Sequence, residues 1–356
     1  MDVEERMRLA TRNAVEVVTR DELRRALEAG RPRAYLGFEP SGLVHVGWLV
    51  WMYKVRDLVS AGVDFVLLGA TWHAYINDKL GGDMDLIRRA AKYALKVLEA
   101  IGATGFRYVD AEELVSDKEY WSTLIRAAKS STLARVRRAL TIMGRRYEDA
   151  ELDFSKLIYP LMQVTDIFYL DLDIALGGMD QRKAHMLARD VAERLGRKKV
   201  VAIHTPIITG LQGPRASGGE VDEQLADSKM SKSKPETAIF VHEPPEAVER
   251  KVMSAYCPPR EAAFNPVIEI AKYLLFQQEG FRLRIERPAK YGGDVEVESA
   301  EELESLYRAG SIHPLDLKAS VARELNRLLE PVRAKILGDR EASELVKELS
   351  EADSRR

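Results

Sequence analysis

The strongest constraint on the fold of this chain is an alternation of short apolar runs with longer helical patterns. The runs have the length and composition of β-strands and cover residues 33–38 (RAYLGF), 63–71 (VDFVLLGAT), 106–110 (FRYVD), 173–178 (DIALGG) and 198–205 (KKVVAIHT). Helical patterns lie between them, and glycines at 62 and 102 stand where two of these helices should end. Strands that alternate with helices build parallel sheets, so the sequence predicts an α/β fold.

Two departures from this alternation define the predicted domains. A long helical stretch at about 115–165 interrupts the sheet, and after residue 240 the patterns become mainly helical. We therefore predict an N-terminal helical segment (1–32), an α/β domain (33–240) that carries the insertion, and a mainly helical domain (241–356). The polar segment 213–236, which contains Gly and Ser, is the best candidate for a mobile loop.

Composition and charge exclude several classes of protein. The net charge of −2 gives no global basic field of the kind that announces a nucleic-acid partner, although a local patch can still bind one. The single cysteine, Cys257, excludes an internal disulfide, and the six histidines lack ligand spacing, so we predict no protein-bound metal. No apolar run reaches the roughly 18 residues of a membrane span, and the N-terminus is too charged for a signal peptide. We expect a soluble cytoplasmic protein.

Two short strings suggest phosphate chemistry. The first, SGLVHVG (41–47), lies between a predicted strand and a helix, where phosphates bind; Gly47 would let a flat ligand approach, and His45 can donate to phosphate oxygens. The second, KMSKS (229–233), offers ammonium groups and hydroxyls that can fold over a triphosphate. Alone, each string also fits a capped turn or a solvated basic loop. Together, in this order, they are far more specific.

A third pattern predicts a polar pocket. In LIYPLMQVTDIFYL (157–170), Tyr159, Gln163 and Asp166 are spaced i, i+4, i+7 and share one face of a helix. An aspartate in such an apolar run is costly to bury without a partner. We interpret the three side chains as the lining of a binding pocket. The alternatives are a carboxylate on the helix surface and one paired with an arginine.

The two strings resemble the signature motifs of class I aminoacyl-tRNA synthetases, His-Ile-Gly-His and Lys-Met-Ser-Lys-Ser. Longer segments resemble the tyrosyl-tRNA synthetases of archaeal and eukaryotic type, and they are YLGFEPSG, HAYIND, IYPLMQVTDIFYL, GGMDQRKAHMLARD and HPLDLK. The resemblance extends from about residue 30 to 335. In this chain Trp48 stands in place of the second signature histidine, and Thr71 stands where related enzymes often carry an acidic residue.

The resemblance implies a Rossmann-like catalytic domain with a helical insertion and a C-terminal, mainly helical anticodon-binding domain, in a homodimer. It implies ATP-dependent activation of L-tyrosine and transfer to tRNA(Tyr), with release of pyrophosphate and AMP. Mg²⁺ would accompany ATP without a dedicated protein site. No separate editing domain is expected, because a pocket that hydrogen-bonds a hydroxyl rejects the analogue that lacks it.

The resemblance also assigns individual residues. For tyrosine, it implies that Asp166 and Tyr35 bind the phenolic hydroxyl and that Tyr159, Gln163 and Gln181 bind the α-amino group, with His73 lining the pocket. The implied catalytic residues are His45, Gly47, Lys229, Ser231 and Lys232. The implied ATP contacts are Gly37, Glu39, Ser41, His45, Gly47, Met230 and Lys232. The anticodon contacts would be Tyr291, His313, Pro314, Asp316 and Lys318. The tRNA acceptor end would meet Arg135, Arg138 and Arg182. For the arginine-rich stretch 134–146, a solvated helix face and a place in the subunit interface are the alternatives.

Two other functions remain open at this point. The related tryptophanyl enzyme is the first, since an indole N–H also needs an acceptor such as Asp166. The second is a synthetase-like RNA-binding protein without catalysis, which Trp48 leaves open. The intact lysine motif argues against the second function, because a protein that only binds RNA has no use for a triphosphate clamp.

Overall fold

The computed structural model describes residues 1–143, 153–214, 228–231 and 235–354. The chain divides into two compact units. The first comprises Met1–Gly42, Trp51–Pro206 and Leu345–Arg356, and the second comprises Leu43–Val50 and Ile207–Glu344. The domain boundaries given above remain predictions. Most of the predicted mobile loop lies outside the described residues.

A mixed sheet forms the centre of the first unit. In the described chain it has six strands, which are β1 (Glu16–Val18), β2 (Arg33–Phe38), β3 (Asp64–Gly69), β4 (Arg107–Asp110), β5 (Ile174–Gly178) and β6 (Val201–Thr205). Their order is β1-β6-β5-β2-β3-β4, and only β1 runs antiparallel to its neighbour. The five strands predicted from apolar runs are all present, so the predicted α/β fold with a parallel sheet is confirmed.

Helices connect these strands and cover the sheet. They are α1 (Val3–Thr11), α2 (Arg20–Glu28), α3 (Val46–Ser60), α4 (Thr71–Ile76), α5 (Met84–Ala100), α6 (Ala111–Val115), α7 (Lys118–Lys129), α8 (Leu133–Arg138), α9 (Ser155–Tyr169) and α10 (Arg182–Arg194). Asp83 caps α5 by accepting from the backbone N–H of Leu86 at 3.0 Å. Gly62 and Gly102 have φ of +77° and +76° just beyond α3 and α5, as helix-terminating glycines do. Helices α6 to α9 lie between β4 and β5, where the insertion was predicted.

The order of the strands fixes where a ligand can bind in the first unit. The sheet is built outward in both directions from β2, which has β3 on one side and β5 on the other. Connections leave in opposite directions at this point, so a crevice opens beyond the carboxyl ends of β2 and β5. Tyr35 and Gly37 lie near that end of β2, and Gly177 and Gly178 end β5.

The second unit is mainly helical, as predicted for the C-terminal part of the chain. Its helices are α11 (Pro245–Ser254), α12 (Pro266–Ile270), α13 (Ala300–Ala309) and α14 (Pro314–Gly338), and α15 (Arg340–Ser354) begins in this unit. A short antiparallel hairpin of β7 (Leu283–Ile285) and β8 (Val295–Val297) was not predicted. None of the helices in the described part of the chain is long and apolar enough to cross a membrane.

Candidate active site

A buried carboxylate, Asp166 on α9, is the central feature of the first unit. It is 2% exposed. Its Oδ1 accepts a hydrogen bond from the Tyr120 hydroxyl at 2.8 Å, and its Oδ2 lies 3.2 Å from Nε2 of His73. Burial, followed by the negative charge of Asp166, raises the pKa of both Tyr35 and Tyr120 well above the ordinary value. Both phenols therefore stay protonated, and Tyr120 donates to the carboxylate.

This arrangement can recognise one polar group at the end of an apolar ligand. A carboxylate has about four lone-pair sites, and Tyr120 occupies one of those on Asp166. Although His73 Nε2 lies 3.2 Å from Asp166, its N–H is not aligned with the carboxylate, so neither ring nitrogen makes a hydrogen bond to the described residues. Because the surroundings are apolar, a ligand that lacked a matching donor would leave these groups unpaired at a substantial cost. Asp166 and Tyr35 were predicted to bind a substrate hydroxyl together, and that prediction stays a prediction; the hydrogen bond from Tyr120 to Asp166 was not predicted.

The two predicted glutamines form a chain beside this carboxylate. The Gln163 amide donates to Oε1 of Gln181 at 3.3 Å, and the Gln181 amide donates to the carbonyl of Ile142 at 3.2 Å. The Oε1 atom of Gln163 is buried and has no hydrogen-bond donor among the residues described. A buried orphan acceptor of this kind is suited to an ammonium group that arrives with a ligand.

A second polar cluster surrounds Glu39, which was predicted to contact ATP. The Tyr159 hydroxyl donates to Glu39 at 2.5 Å, and the Asn77 amide donates to both carboxylate oxygens at 3.0 and 3.1 Å. The ring of Tyr159 also packs edge-on against His73, with centroids 5.0 Å apart. The structure therefore buries Tyr159 beside His73, with its hydroxyl directed at Glu39.

The other residues predicted to contact ATP in the first unit are small and lie on the crevice side of β2. Gly37 is exposed and Ser41 is half-buried. Thr71, which replaces an acidic residue of the resembled family, is buried, and its hydroxyl donates to Asp110 at 2.6 Å. The Thr71 hydroxyl proton is therefore used in a hydrogen bond within the protein.

A chain of buried side chains runs beneath the end of β5. His185 Nδ1 lies 3.0 Å from His204 Nε2, and His204 Nδ1 lies 2.7 Å from Glu16, which also accepts from Arg182. Burial lowers the pKa of both histidines, so the chain is neutral apart from Glu16 and Arg182. These contacts give His204 a structural role. Arg182, predicted to meet the acceptor end of tRNA, is engaged here in an ion pair.

In the second unit, the ring of His45 occupies the space left open by Gly47. A Cβ atom at position 47 would lie 2.9 Å from Cε1 and 3.0 Å from Nδ1 of His45. The backbone N–H of Gly47 donates to His45 Nδ1 at 3.2 Å, so a neutral ring carries its proton on Nε2. Trp48 packs edge-on against the same ring, with centroids 6.2 Å apart. Sequence reasoning left the space beside Gly47 for a ligand, whereas the structure fills it with His45.

The described part of the lysine motif is held by a single β-bridge. Thr209 and Lys229 form an isolated antiparallel bridge, with Gly210 N–H donating to Ser228 and Met230 N–H donating to Ile208, both at 2.8 Å. Met230 is buried, as a hydrophobic anchor should be. Lys232, predicted to act in catalysis and ATP binding, lies outside the described residues.

The segment that follows the motif connects it to His45. Phe240 forms an antiparallel bridge with His45. Lys251 on α11 is buried and donates to the carbonyls of Pro235 at 3.0 Å and Ala238 at 2.8 Å, and to Glu243 at 2.5 Å. One ammonium group therefore fixes the segment that joins the two signature motifs.

The predicted anticodon residues lie around the start of α14. His313 is its N-cap and accepts from the Leu315 N–H at 3.2 Å, Pro314 is the first helical residue, and Asp316 is half-buried in the first turn. Lys318 donates to the carbonyl of Met253 at 3.0 Å. Tyr291 ends a short 3₁₀ turn, Ala289–Tyr291.

Of the predicted acceptor-end arginines in the insertion, Arg138 is exposed. Arg135 pairs with Asp190 at 2.6 Å. This pairing leaves Arg138 as the more accessible of the two guanidinium groups.

Comparison with known proteins agrees with this geometry. Residues 27–330 match the family model of class I tRNA synthetases (W and Y). The tyrosine–tRNA ligase of Aeropyrum pernix is 64% identical over 345 residues, 95% of each chain, and that of Sulfurisphaera tokodaii is 57% identical over 359 residues, 100% of this chain and 99% of the other. The crystal structure of tyrosyl-tRNA synthetase from Archaeoglobus fulgidus complexed with L-tyrosine superposes with a TM-score of 0.82 at 44% identity, covering 94% of this chain and 99% of that one. The chain therefore belongs to the class I tRNA synthetases (W and Y), and within them to the tyrosine–tRNA ligases.

Proposed function

We propose that the residues described above carry out both steps of the tyrosine–tRNA ligase reaction. In the first step, a carboxylate oxygen of L-tyrosine attacks the α-phosphorus of ATP, a P–O bond forms, and pyrophosphate leaves with the electrons of the broken P–O bond. In the second, a ribose hydroxyl at the 3′ end of tRNA attacks the tyrosyl carbonyl and AMP leaves. Mg²⁺ enters as part of the ATP substrate. The protein supplies positioning and charge stabilisation and forms no covalent intermediate.

The observation that carries this proposal is the buried Asp166 carboxylate with its phenol partner. We assign the phenolic hydroxyl of the substrate to Asp166 and Tyr35, since the carboxylate retains acceptor sites in an apolar environment. The orphan Oε1 of Gln163 supports an assignment of the α-ammonium group to the glutamine chain. We also assign Tyr159 to that subsite.

Phosphate chemistry is assigned to the two signature motifs and the residues that flank them. We propose that the Nε2–H of His45 donates to the α-phosphate and that Lys229, Lys232 and Ser231 stabilise the departing pyrophosphate. Gly37, Glu39, Ser41 and Met230 are the further ATP residues in this proposal. The intact Lys229–Met230–Ser231 segment favours it over an RNA-binding protein without catalysis.

The first arm of the test is ATP–pyrophosphate exchange with each of the twenty amino acids. We expect rapid exchange with tyrosine alone, because Asp166 and the glutamine chain match its two polar ends. Best exchange with tryptophan, or exchange with no amino acid, would contradict the proposal.

The second arm tests tRNA binding. We propose that Tyr291, His313, Pro314, Asp316 and Lys318 contact the anticodon and that Arg135, Arg138 and Arg182 lie near the acceptor end. A carboxylate can accept from the Watson–Crick edge of guanine, so Asp316→Ala should weaken aminoacylation by about 10-fold or more, as the loss of one good base contact does. Exchange without tRNA should be unaffected. Aminoacylation by the variant at the parental rate over a range of tRNA concentrations would remove Asp316 from the site.

We also propose that this protein is a homodimer and acts in the cytoplasm. Apolar side chains of the insertion are exposed, namely Trp121 (44%), Ile125 (66%), Leu133 (58%) and Phe154 (76%). Contiguous exposed apolar patches mark protein interfaces, and we propose that these side chains contribute to the dimer interface. Sedimentation equilibrium should give twice the 40.1-kDa chain mass, and a monomer mass would exclude the dimer.

A further inference from the structure

The second unit contains a buried carboxylate that the chemistry proposed above does not use. Glu269 on α12 is 9% exposed. Its Oε2 accepts from the backbone N–H of Thr209 at 2.6 Å, and its Oε1 accepts from the Thr209 hydroxyl at 3.1 Å. Burial raises the pKa of Glu269 to about 7, although the hydrogen bonds from Thr209 act in the opposite direction. Burying an acidic group is costly, and both oxygens of this one are directed at a single residue.

Thr209 is the residue that pairs with Lys229 of the lysine motif. The two hydrogen bonds of this bridge are made by the flanking residues, from Gly210 to Ser228 and from Met230 to Ile208. In such a pair the N–H of the central residue points away from its partner. Thr209 therefore presents its N–H on the outer edge, where another strand would accept it in a larger sheet. Glu269 occupies that edge and accepts the bond instead.

The residue after this bridge, Met230, lies beside Gly47 of the first signature motif. Met230 follows Lys229 directly, and its Cβ lies 3.8 Å from the position that a Cβ at residue 47 would occupy. A displacement of Thr209 would therefore reach Lys229 and Met230 through two backbone hydrogen bonds.

We propose that Glu269 is a positioning residue for the lysine motif, holding Thr209 so that the backbone of Lys229 and Met230 keeps its place for catalysis. The inference rests on the proposed function, in that Lys229 acts on the leaving pyrophosphate. Glu269 touches neither substrate nor reacting atom. Its replacement should lower the rate of activation without changing the affinity for tyrosine, which is assigned to residues of the first unit.

The experiment compares Glu269→Ala and Glu269→Gln with the parent in two measurements. The first is amide hydrogen exchange of segments 207–211 and 228–231, which reports the bridge directly. The second is steady-state pyrophosphate exchange, which separates kcat from the KM for tyrosine. For Glu269→Ala we expect faster amide exchange in both segments and a fall in kcat on the order of 10-fold, with tyrosine KM unchanged. Glu269→Gln should recover most of the parental behaviour, since its amide can still accept from the Thr209 N–H.

The matched control is Glu304→Gln. Glu304 is a neighbouring carboxylate that pairs with Lys272 at 2.7 Å, and this variant should match the parent in both measurements. If Glu269→Ala does not fold, Thr209→Val, which removes the hydroxyl contact alone, should shift both readouts in the same direction by less. Unchanged amide exchange in Glu269→Ala, or a tyrosine KM that rises as kcat falls, would overturn the proposal. If the parent itself supported no exchange, the proposed function would fail, and the amide measurement alone would decide the role of Glu269.

Discussion

Replacing Asp166 with asparagine is expected to lower kcat/KM for tyrosine in pyrophosphate exchange by about 10²-fold, as the loss of a hydrogen bond to a buried charged group does. The carboxylate accepts from Tyr120 at 2.8 Å and is 2% exposed, so the amide nitrogen of the variant would be a donor where acceptors are needed. Phenylalanine has no hydroxyl, so its use as a substrate does not depend on the Asp166 carboxylate. The selectivity for tyrosine over phenylalanine should therefore fall together with kcat/KM; tyrosyl-tRNA synthetases are themselves the established example of such selectivity.

Two tyrosine substitutions test the role of Asp166 further, one as a variant of its partner and one as a control. Tyr120→Phe removes the donor that orients Asp166 and should lower kcat/KM for tyrosine by roughly 10-fold, the effect of one ordinary hydrogen bond. Tyr169→Phe is the matched control on the same helix as Asp166, because its hydroxyl donates to the exposed Asp117 at 2.8 Å. It should leave the kinetics unchanged. Parental selectivity in a folded Asp166→Asn protein, with folding checked by circular dichroism, would show that Asp166 does not read the hydroxyl.

The residues around Asp166 also show how far sequence alone can describe a site. Asp166 and Gln163 could be predicted because they interrupt an apolar helix at helical spacing. Tyr120 could not, since it lies 46 residues earlier. Only the packing of α7 against α9 brings the two together, and nothing in the local pattern around Tyr120 distinguishes it from other aromatic residues of an amphipathic helix. Asn77 lies within the segment HAYIND, which can be identified from the sequence, but its contact with Glu39 depends on the turn after α4.

The fold, like the site, could be predicted from the sequence only in part. Strands β2, β3, β5 and β6 are mostly buried and apolar, so their composition identifies them. Strand β4 has one buried residue, Val109. Strands β1, β7 and β8 have three residues each, which is too short for alternation to be visible. Glu16 in β1 nonetheless completes the buried His185–His204 chain. Edge elements of this kind depend on the tertiary partner more than on their own sequence.

Replacing His45 with alanine is expected to lower kcat for tyrosine activation by about 10²- to 10³-fold, the usual cost of removing one preorganised donor to developing charge. The ring is held by the Gly47 N–H at 3.2 Å, which directs its Nε2–H away from the helix backbone. The KM for tyrosine should hardly change, because the contact strengthens in the transition state. Single-turnover formation of tyrosyl-adenylate measures the effect. A collapse of tyrosine affinity at parental kcat would show that His45 has another role.

Gly47→Ala distinguishes two explanations for the glycine. If Gly47 serves only to let ATP approach the helix, the added methyl group should lower kcat equally with or without His45. If it serves to admit the His45 ring, which a Cβ would approach to 2.9 Å, the ring must move, and displacement by about 1 Å can cost on the order of 10² in rate. The same methyl group in the His45→Ala background should then be nearly neutral in rate and should stabilise the helix by roughly 0.5–1 kcal/mol. We expect this non-additive result from the double-mutant cycle. Equal losses in both backgrounds would instead assign the space beside Gly47 to ATP.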